Sequence, residues 1–468
     1  MNKAGFERFH YATLEELQAD IDRLGVDILL SENLDVMKRP VTIIRGKTAP
    51  NSIAILPMEG CDSNPDGSPG ELTLRRYGRL ARGGAGLIWV EACAILPLAK
   101  ANPLQMQLNR ENVGKFADML RMIRREAAQS MGDGHVPVCI LQLTHSGRYS
   151  KPEGVAAPVI GHHDPWLDNR AEVAPGQEPI RDEALEALQE DYVRAALLAK
   201  EAGFDGVDIK ACHRYLVNEL LAGFTRRDSR YGGSFENRTR FLLETVKKVK
   251  KAVGDDFILA CRLNVFDAHP YPYGWGVSRE NTDLRKIYTS DMTEPLRLVS
   301  LLEEAGVNLL SNSGGNPYYL NPEVTRPLDY SLVGFPTPAE HPLESTARLF
   351  ALTRMVQAQA PKIVVIGNGY SWLRRYSCYA GAANLEHGFA GMMGFGRMAF
   401  AYPDAARDIL LKGKLFPEKE CIACSKCTQI MRDLGVRTGC VIRDFRYYGP
   451  IYREGRRRFE SQACDNTK

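Results

Sequence analysis

Residues 205–241 read DGVDIKACHRYLVNELLAGFTRRDSRYGGSFENRTRF. The stretch opens on an apolar, β-leaning run at 206–209. It breaks at once into a polar loop holding Lys210, Cys212, His213, Arg214 and Tyr215. A buried strand that ends in a cluster of titratable groups is how a βα barrel presents chemistry at its top face. His213 and Tyr215, just past the strand end, are therefore candidate functional residues. Further on, Gly232 and Gly233 signal a turn, and Glu236, Arg238 and Arg240 read as an ion-pair network that orients loops rather than as chemistry.

The same rhythm extends in both directions. Eight β-like runs follow one another: SIAILP (52–57), GLIWVEA (86–92), VPVCILQL (136–143), GVDI (206–209), FILACRL (257–263), VNLLSN (307–312), KIVVIG (362–367) and FAGMMGF (389–395). Helix-like stretches lie between several of them, with apolar residues at helical spacing in ALEALQEDYVRAALLAKEAG. Near-continuous apolar strands alternating with amphipathic helices mean a parallel sheet covered on both faces. Eight such units predict a (β/α)8 TIM barrel. A doubly wound dinucleotide sheet is the alternative, but it should carry GxGxxG after its first strand. Nothing after Ile55 resembles that, and Gly367-Asn-Gly369 lacks the third glycine.

Loops after the seventh and eighth strands of a barrel often bind phosphate. Here they read GNGYS (367–371) and GFGRMA (394–399). Glycines let the backbone approach an anion, and Arg397 adds a forked cationic donor. A phosphate handle on a bound cofactor is expected there.

The 468 residues are 44% hydrophobic and 25% charged, ordinary for a globular protein, and a net charge of +3 gives no global attraction to nucleic acid. The first residues carry no apolar signal core, and no apolar run reaches the roughly 18 residues of a membrane span. A cytoplasmic protein is expected. Residues 1–48 read as a helical appendage and the start of a barrel lid. There Thr13 and Glu16 form a capping box before a helix over 14–24, followed by a β-like PVTIIRG and a KTAPN turn. The barrel is placed at 49–415, and 416–468 forms a separate C-terminal segment.

That segment holds four of the eleven cysteines, Cys421, Cys424, Cys427 and Cys440. In a cytosolic chain such clustering reads as metal binding. CxxCxxC followed by a more distant Cys supplies four thiolates at spacings that suit a [4Fe–4S] cluster. Structural zinc usually takes two separated pairs. From 443 on, six arginines reach Arg458 against two acids, Asp444 and Glu454.

Taken together, the motifs resemble the Old Yellow Enzyme family of FMN-containing oxidoreductases. They are PME with EGCDSNPDGSPGELT, GGAGLIWVEA, LQLTHSGR, GFDGVDI…YLVNELL…RRDSRYGGSFENRTRF, ACRLN, GNG, MMGFGRMAFAYPD and the cysteine cluster. The likeness is closest to the iron–sulfur branch that includes 2,4-dienoyl-CoA reductase and trimethylamine dehydrogenase. The resemblance implies FMN at the top of the barrel, with Pro57, Met58, Glu59, Ala92 and Gln142 against the flavin ring. It places Arg262 near the N1–C2 carbonyl, where a cation stabilises reduced flavin. Ser313, Gly314, Asn368, Gly369, Gly396 and Arg397 would hold the ribityl phosphate. Tyr215 matches the family's proton donor and His213 one member of the pair that binds a substrate carbonyl. Lys210 stands where the family has His. It either stabilises an enolate, binds a substrate carboxylate, or serves as an ion-pair lysine. Glu59 stands where simple members have Thr or Cys.

The implied activity is reduction of the C=C bond of an α,β-unsaturated carbonyl compound. The hydride comes from FMN N5 and the proton from Tyr215. The rivals are amine oxidation, with Tyr273, Trp275 and Trp166 as a possible aromatic cage, and a relay subunit that only passes electrons. Larger relatives continue into FAD- and NAD-binding domains. No dinucleotide fingerprint is present here, so electrons are expected from a ferredoxin or flavoprotein subunit, with direct NAD(P)H reduction as the alternative. The basic tail offers a surface for an acidic carrier. A small-molecule substrate and a homo-oligomer are also expected.

Overall fold

The computed structural model describes residues 5–283, 288–318, 321–330, 336–432, 434 and 437–465. A hairpin comes first, β1 (Val41–Ile44) and β2 (Lys47–Ala49), antiparallel. Eight further strands follow: β3 (Ile53–Ile55), β4 (Leu87–Ala94), β5 (Val138–Thr144), β6 (Gly206–Ile209), β7 (Ile258–Phe266), β8 (Leu309–Gly314), β9 (Val364–Gly367) and β10 (Met392–Phe395). They close in the order β10-β3-β4-β5-β6-β7-β8-β9, every pair parallel. This is the (β/α)8 barrel, and each of the eight apolar runs supplies one strand.

Side chains alternate across a strand, so every second residue enters the barrel. Ala54, Leu87, Trp89, Val138, Ile140, Ile258, Ala260, Leu309 and Ile366 form one buried cluster inside it, joined by Ile43 and Ala49 from the hairpin. The hairpin therefore closes the end of the barrel where the strands begin. The KTA segment is a strand and not the expected turn. The chain reverses at Arg45 and Gly46 instead, and Gly46 has φ +83°, which glycine adopts without strain.

The helix at Leu14–Leu24 forms as expected, with the Thr13 side chain accepting from the Glu16 N–H. Glu16 returns its bond to the Ala12 N–H at 2.6 Å rather than to Thr13. Phe9 packs edge-on to Trp372 at 5.5 Å, which ties the N-terminal segment to the loop after β9. The basic tail is largely a helix, Phe445–Asp465. Arg457 and Arg458 pair with Glu454, and Arg456 with Glu460. No helix among the described residues is long and apolar enough to cross a membrane.

Candidate functional site

Continuing the inward alternation by one step turns apolar filler into polar groups. Gln142 follows Ile140, Arg262 follows Ala260, and Asn368 follows Ile366. At the mouth where the strands end, Pro57, Met58, Glu59, Gln142, Lys210, His213, Arg262, Ser313, Asn368, Gly369, Gly396 and Arg397 line one cleft of about 930 Å³, counted to its open mouth. Three expected members stand back from it, among them Tyr215, whose buried ring packs behind Tyr318 and Lys210. Ala92 is fully buried, its carbonyl accepting from Gln105 Nε2 at 3.3 Å. Gly314 ends β8 against Phe266 and Val324. None of the three is among the residues that line the cleft.

The loop after β6 is bent into an unusual path. His213 and Arg214 both adopt left-handed backbone, φ 63° and 61°, a conformation that non-glycine residues hold only when the surroundings enforce it. Here buried charge enforces it. Arg214 reaches Asp164 at 3.0 Å and Asp267 at 3.2 Å, and its backbone N–H donates to Asn218 Oδ1 at 2.7 Å. His269 adds a 2.9 Å contact to Asp164. Burial opposes ionisation of Asp164, but His269, Arg214 and Arg148 outweigh it and hold its carboxyl far below the usual carboxylate range. Nearby, Arg148 pairs with Glu219, both fully buried. Arg148 also pairs with Asp168 at 2.8 Å, so removing Glu219 leaves the buried guanidinium one of its two carboxylates. Glu219→Ala is therefore expected to destabilise the fold by about 1.5–3 kcal/mol, the weight of a hydrogen bond to a charged group, measurable by denaturant unfolding.

Three titratable side chains converge on Glu59. Lys210 Nζ lies 3.1 Å from Glu59 Oε1, and the Tyr215 hydroxyl 3.4 Å from the same atom. The Tyr318 hydroxyl stands 3.4 Å from that of Tyr215. These O···O separations are long for hydrogen bonds and leave the phenols room to engage another group. Lys210 Nζ also sits 3.7 Å over the Tyr215 ring. The lysine is thus an ion-pair residue that nonetheless faces the cleft. Burial, the Glu59 charge and Tyr318 push the Tyr215 phenol well above its ordinary value, so it stays protonated.

Burial, with Arg262, Lys210 and Arg326, pushes the His213 imidazole well below its ordinary value. The ring is neutral, with Nε2 3.0 Å from Ser313 Oγ. A neutral imidazole has no charge change to contribute in the range where histidine usually titrates, about pH 5 to 8. His213→Gln is expected to lower activity without altering the shape of the pH–activity curve there. A lost inflection in the variant would show that His213 titrates.

Elsewhere in the cleft, Gln142 Nε2 donates to Asp208 at 2.6 Å, and Arg262 Nη1 to the Pro57 carbonyl at 3.1 Å. At the other end Asn368 is fixed on the Asn312 carbonyl at 2.5 Å, and Gly369 has φ +93°. Arg397 donates to the Pro327 carbonyl at 2.7 Å and reaches Ser425 Oγ at 3.3 Å. Glycine backbone, amide and guanidinium together make an anion-binding corner.

Arg397 also borders a second cavity, lined by Cys421, Cys424, Cys427 and Cys440. Cys427 lines both cavities, so the two share a wall. Left-handed backbone at Ala423 (φ 50°) and Ser425 (φ 54°) curls the first three cysteines around that space. Backbone N–H groups already point at the sulfurs, Ala423 to Cys421 at 3.4 Å and Arg443 to Cys440 at 3.2 Å. Burial pushes the Cys421 thiol up to about 12 and that of Cys440 to about 11. Buried thiols that a metal would deprotonate fit a metal-ligand role.

Some expected residues lie elsewhere. Tyr273 stacks on His162 at 6.2 Å, Trp275 is buried against Phe235, and Trp166 is 39% exposed, so these three form no cage at the cleft. The aromatic side chains beside Tyr215 are Tyr149 and Tyr318, with ring centroids at 5.9 and 6.2 Å. The run SNSGGNPYY after the sixth barrel strand offers Tyr318 and Tyr319 to the site, and Tyr319 lies outside the described residues. Arg238 and Glu236 are structural: Arg238 grips Glu294 with two 2.8 Å bonds, and Glu236 pairs with Arg297. Asp208 went unassigned in the sequence, though its parity in β6 was a signal. It shares the inward face with Lys210, and a carboxylate inside a buried strand needs a reason.

Residues 38–271 match the model of the NADH:flavin oxidoreductase / NADH oxidase family. An NADH oxidase of Thermoanaerobacter brockii is 30% identical over 273 residues, 57% of this chain and 37% of that protein. The chain spans from 37% to 66% of the lengths of the curated relatives it matches. Among solved structures, a 2-naphthoyl-CoA reductase complex superposes with TM-score 0.67 at 19% identity, covering 87% of this chain and 57% of that one. An old yellow enzyme homologue from Zymomonas mobilis superposes with TM-score 0.58 at 21% identity, covering 81% of this chain and 94% of that one. These two likenesses concern the fold.

Proposed function

The chain belongs to the NADH:flavin oxidoreductase / NADH oxidase family, and on that premise we propose that it is an FMN- and [4Fe–4S]-containing ene-reductase acting on an α,β-unsaturated carbonyl compound. The observation that carries the reading is an imidazole held neutral in the cleft lining, with a phenol held protonated directly behind that lining, against Glu59, Lys210 and Tyr318, which line it. FMN bound there supplies a hydride to the alkene β-carbon. Gln142 and Arg262 would border its ring, and Asn368, Gly369, Gly396 and Arg397 would hold its phosphate. His213 donates to the substrate carbonyl oxygen, and the Lys210 ammonium stabilises charge as it develops on that oxygen. Tyr215 delivers the proton to the α-carbon as general acid. Hydride plus proton is a balanced two-electron reduction.

The four cysteines would hold the cluster, one wall away from the cleft. Electrons would enter from a ferredoxin or flavoprotein, or directly from NAD(P)H.

Anaerobic reduction of the purified protein tests this, followed by visible and EPR spectra. Bleaching by NAD(P)H and recovery with an enone supports a self-sufficient ene-reductase. Bleaching by dithionite alone, with recovery on an enone, supports a partner-fed one. An amine that bleaches the protein unaided moves the assignment to a dehydrogenase.

A further inference from the structure

We propose that Asp208 is a positioning residue of the flavin site, which locks the Gln142 amide and takes up a proton when the bound flavin is reduced. This rests on the flavin reading above. Asp208 is fully buried in β6, beside Gln142 in the register of β5. Its Oδ2 accepts from Gln142 Nε2 at 2.6 Å and from Trp89 Nε1 at 3.0 Å. Its Oδ1 accepts from the backbone N–H of Arg262 at 2.7 Å. An ionised carboxylate is acceptor only, and indole N–H is donor only. The group that Gln142 turns to Asp208 is therefore its NH2. Its carbonyl oxygen is left for the cleft that Gln142 lines, an acceptor for a ring N–H.

The same carboxylate can respond to charge. Among the described residues, the groups facing it are Arg262, Tyr192, Cys212 and Cys261, with the Lys210–Glu59 pair two residues further along the same inward face. Burial holds the phenol and the two thiols neutral, so Arg262 and the Lys210–Glu59 pair are the charges around Asp208. Burial pushes Asp208 up to about 6, against the three donors and Arg262, which lower it. Two electrons and one proton would add one negative charge to a flavin held in the cleft that Arg262 lines. That charge raises the Asp208 pKa further, and a second proton, taken from solvent, then binds the carboxylate. By linkage, the midpoint potential falls twice as steeply with pH wherever two protons accompany the two electrons instead of one.

The test is spectroelectrochemical titration of the holoprotein at several pH values, for wild type, Asp208→Asn and Asp208→Glu. Redox-induced infrared difference spectra are recorded alongside. Wild type and Asp208→Glu are expected to show the doubled slope above about pH 6 and a protonated-carboxyl band that appears on reduction. Asp208→Asn is expected to show half that slope, a higher midpoint and no band. Equal slopes without a carboxyl band, in protein that carries its flavin, overturn the inference alone. Protein purified without any flavin overturns it together with the reading it rests on. Because Asp208→Glu keeps the charge, the wild-type band remains decisive even if the Asn variant misfolds.

Discussion

Tyr215→Phe is expected to lose turnover of an enone by a factor of about 10²–10⁴, the usual weight of a positioned general acid, while keeping its flavin. The substitution is unusually clean here. The ring is buried between Tyr149 and Tyr318 and beneath the Lys210 ammonium, and phenylalanine preserves all three contacts. Only the hydroxyl is lost, and its contacts to Glu59 and Tyr318 are both 3.4 Å, too long to contribute much to folding. Reduction of the flavin by dithionite should be unaffected, and reoxidation by the enone should stall. Stopped-flow measurement of the two half-reactions separates them. The Tyr318 hydroxyl stands 3.4 Å from that of Tyr215 and is placed to supply a proton in its stead, so the Tyr215→Phe, Tyr318→Phe double variant should fall below the single one. Full turnover in Tyr215→Phe would show that the proton comes from elsewhere.

The barrel was legible because its strands are short, apolar and regularly spaced. The polar residues at the cleft were expected from the resemblance alone, and alternation explains why they reach it. Gln142, Arg262 and Asn368 come next in parity after Ile140, Ala260 and Ile366, and each reaches the cleft. What escaped was set by chain path rather than by pattern. The left-handed turn at His213 and Arg214 depends on Asp164 and Asp267, some fifty residues away on either side, and no local signal announces that pairing. Lys210 read equally well as an oxyanion donor or an ion-pair residue. Its partner Glu59 lies 151 positions away, and only the closed barrel brings them to 3.1 Å. The aromatic side chains beside Tyr215 were misjudged for the same reason. The Trp-bearing loops looked apt by composition, whereas Tyr149 and Tyr318 arrive from the ends of β5 and β8. The KTA strand was hidden by the turn residues that follow it.

Cys440→Ala should separate the two halves of the proposed electron path. Cys440 borders the cysteine cavity but not the main cleft, so its loss leaves the walls of the flavin site in place. The segment is also anchored independently of any metal. Arg375 binds Glu420 at 2.9 Å, Arg443 donates to the Glu420 carbonyl at 3.0 Å, and Arg75 and Arg79 both grip Asp444. Structural zinc in zinc-finger peptides is bound by about 10–16 kcal/mol. On that scale one ligand in four is worth roughly 2.5–4 kcal/mol, a loss of about two orders of magnitude or more in retention. Iron and acid-labile sulfide should therefore fall to a small fraction of one cluster per chain, while flavin content stays at wild-type level. Enone turnover driven by a reduced protein donor should collapse. Enone-dependent reoxidation of flavin reduced by dithionite should persist, because Tyr215, His213 and Lys210 are untouched. Loss of both reactions together would mean that the cysteine segment shapes the substrate cleft rather than feeding it. Retention of both would remove the cluster from the electron path and leave direct reduction by NAD(P)H as the route into the cleft.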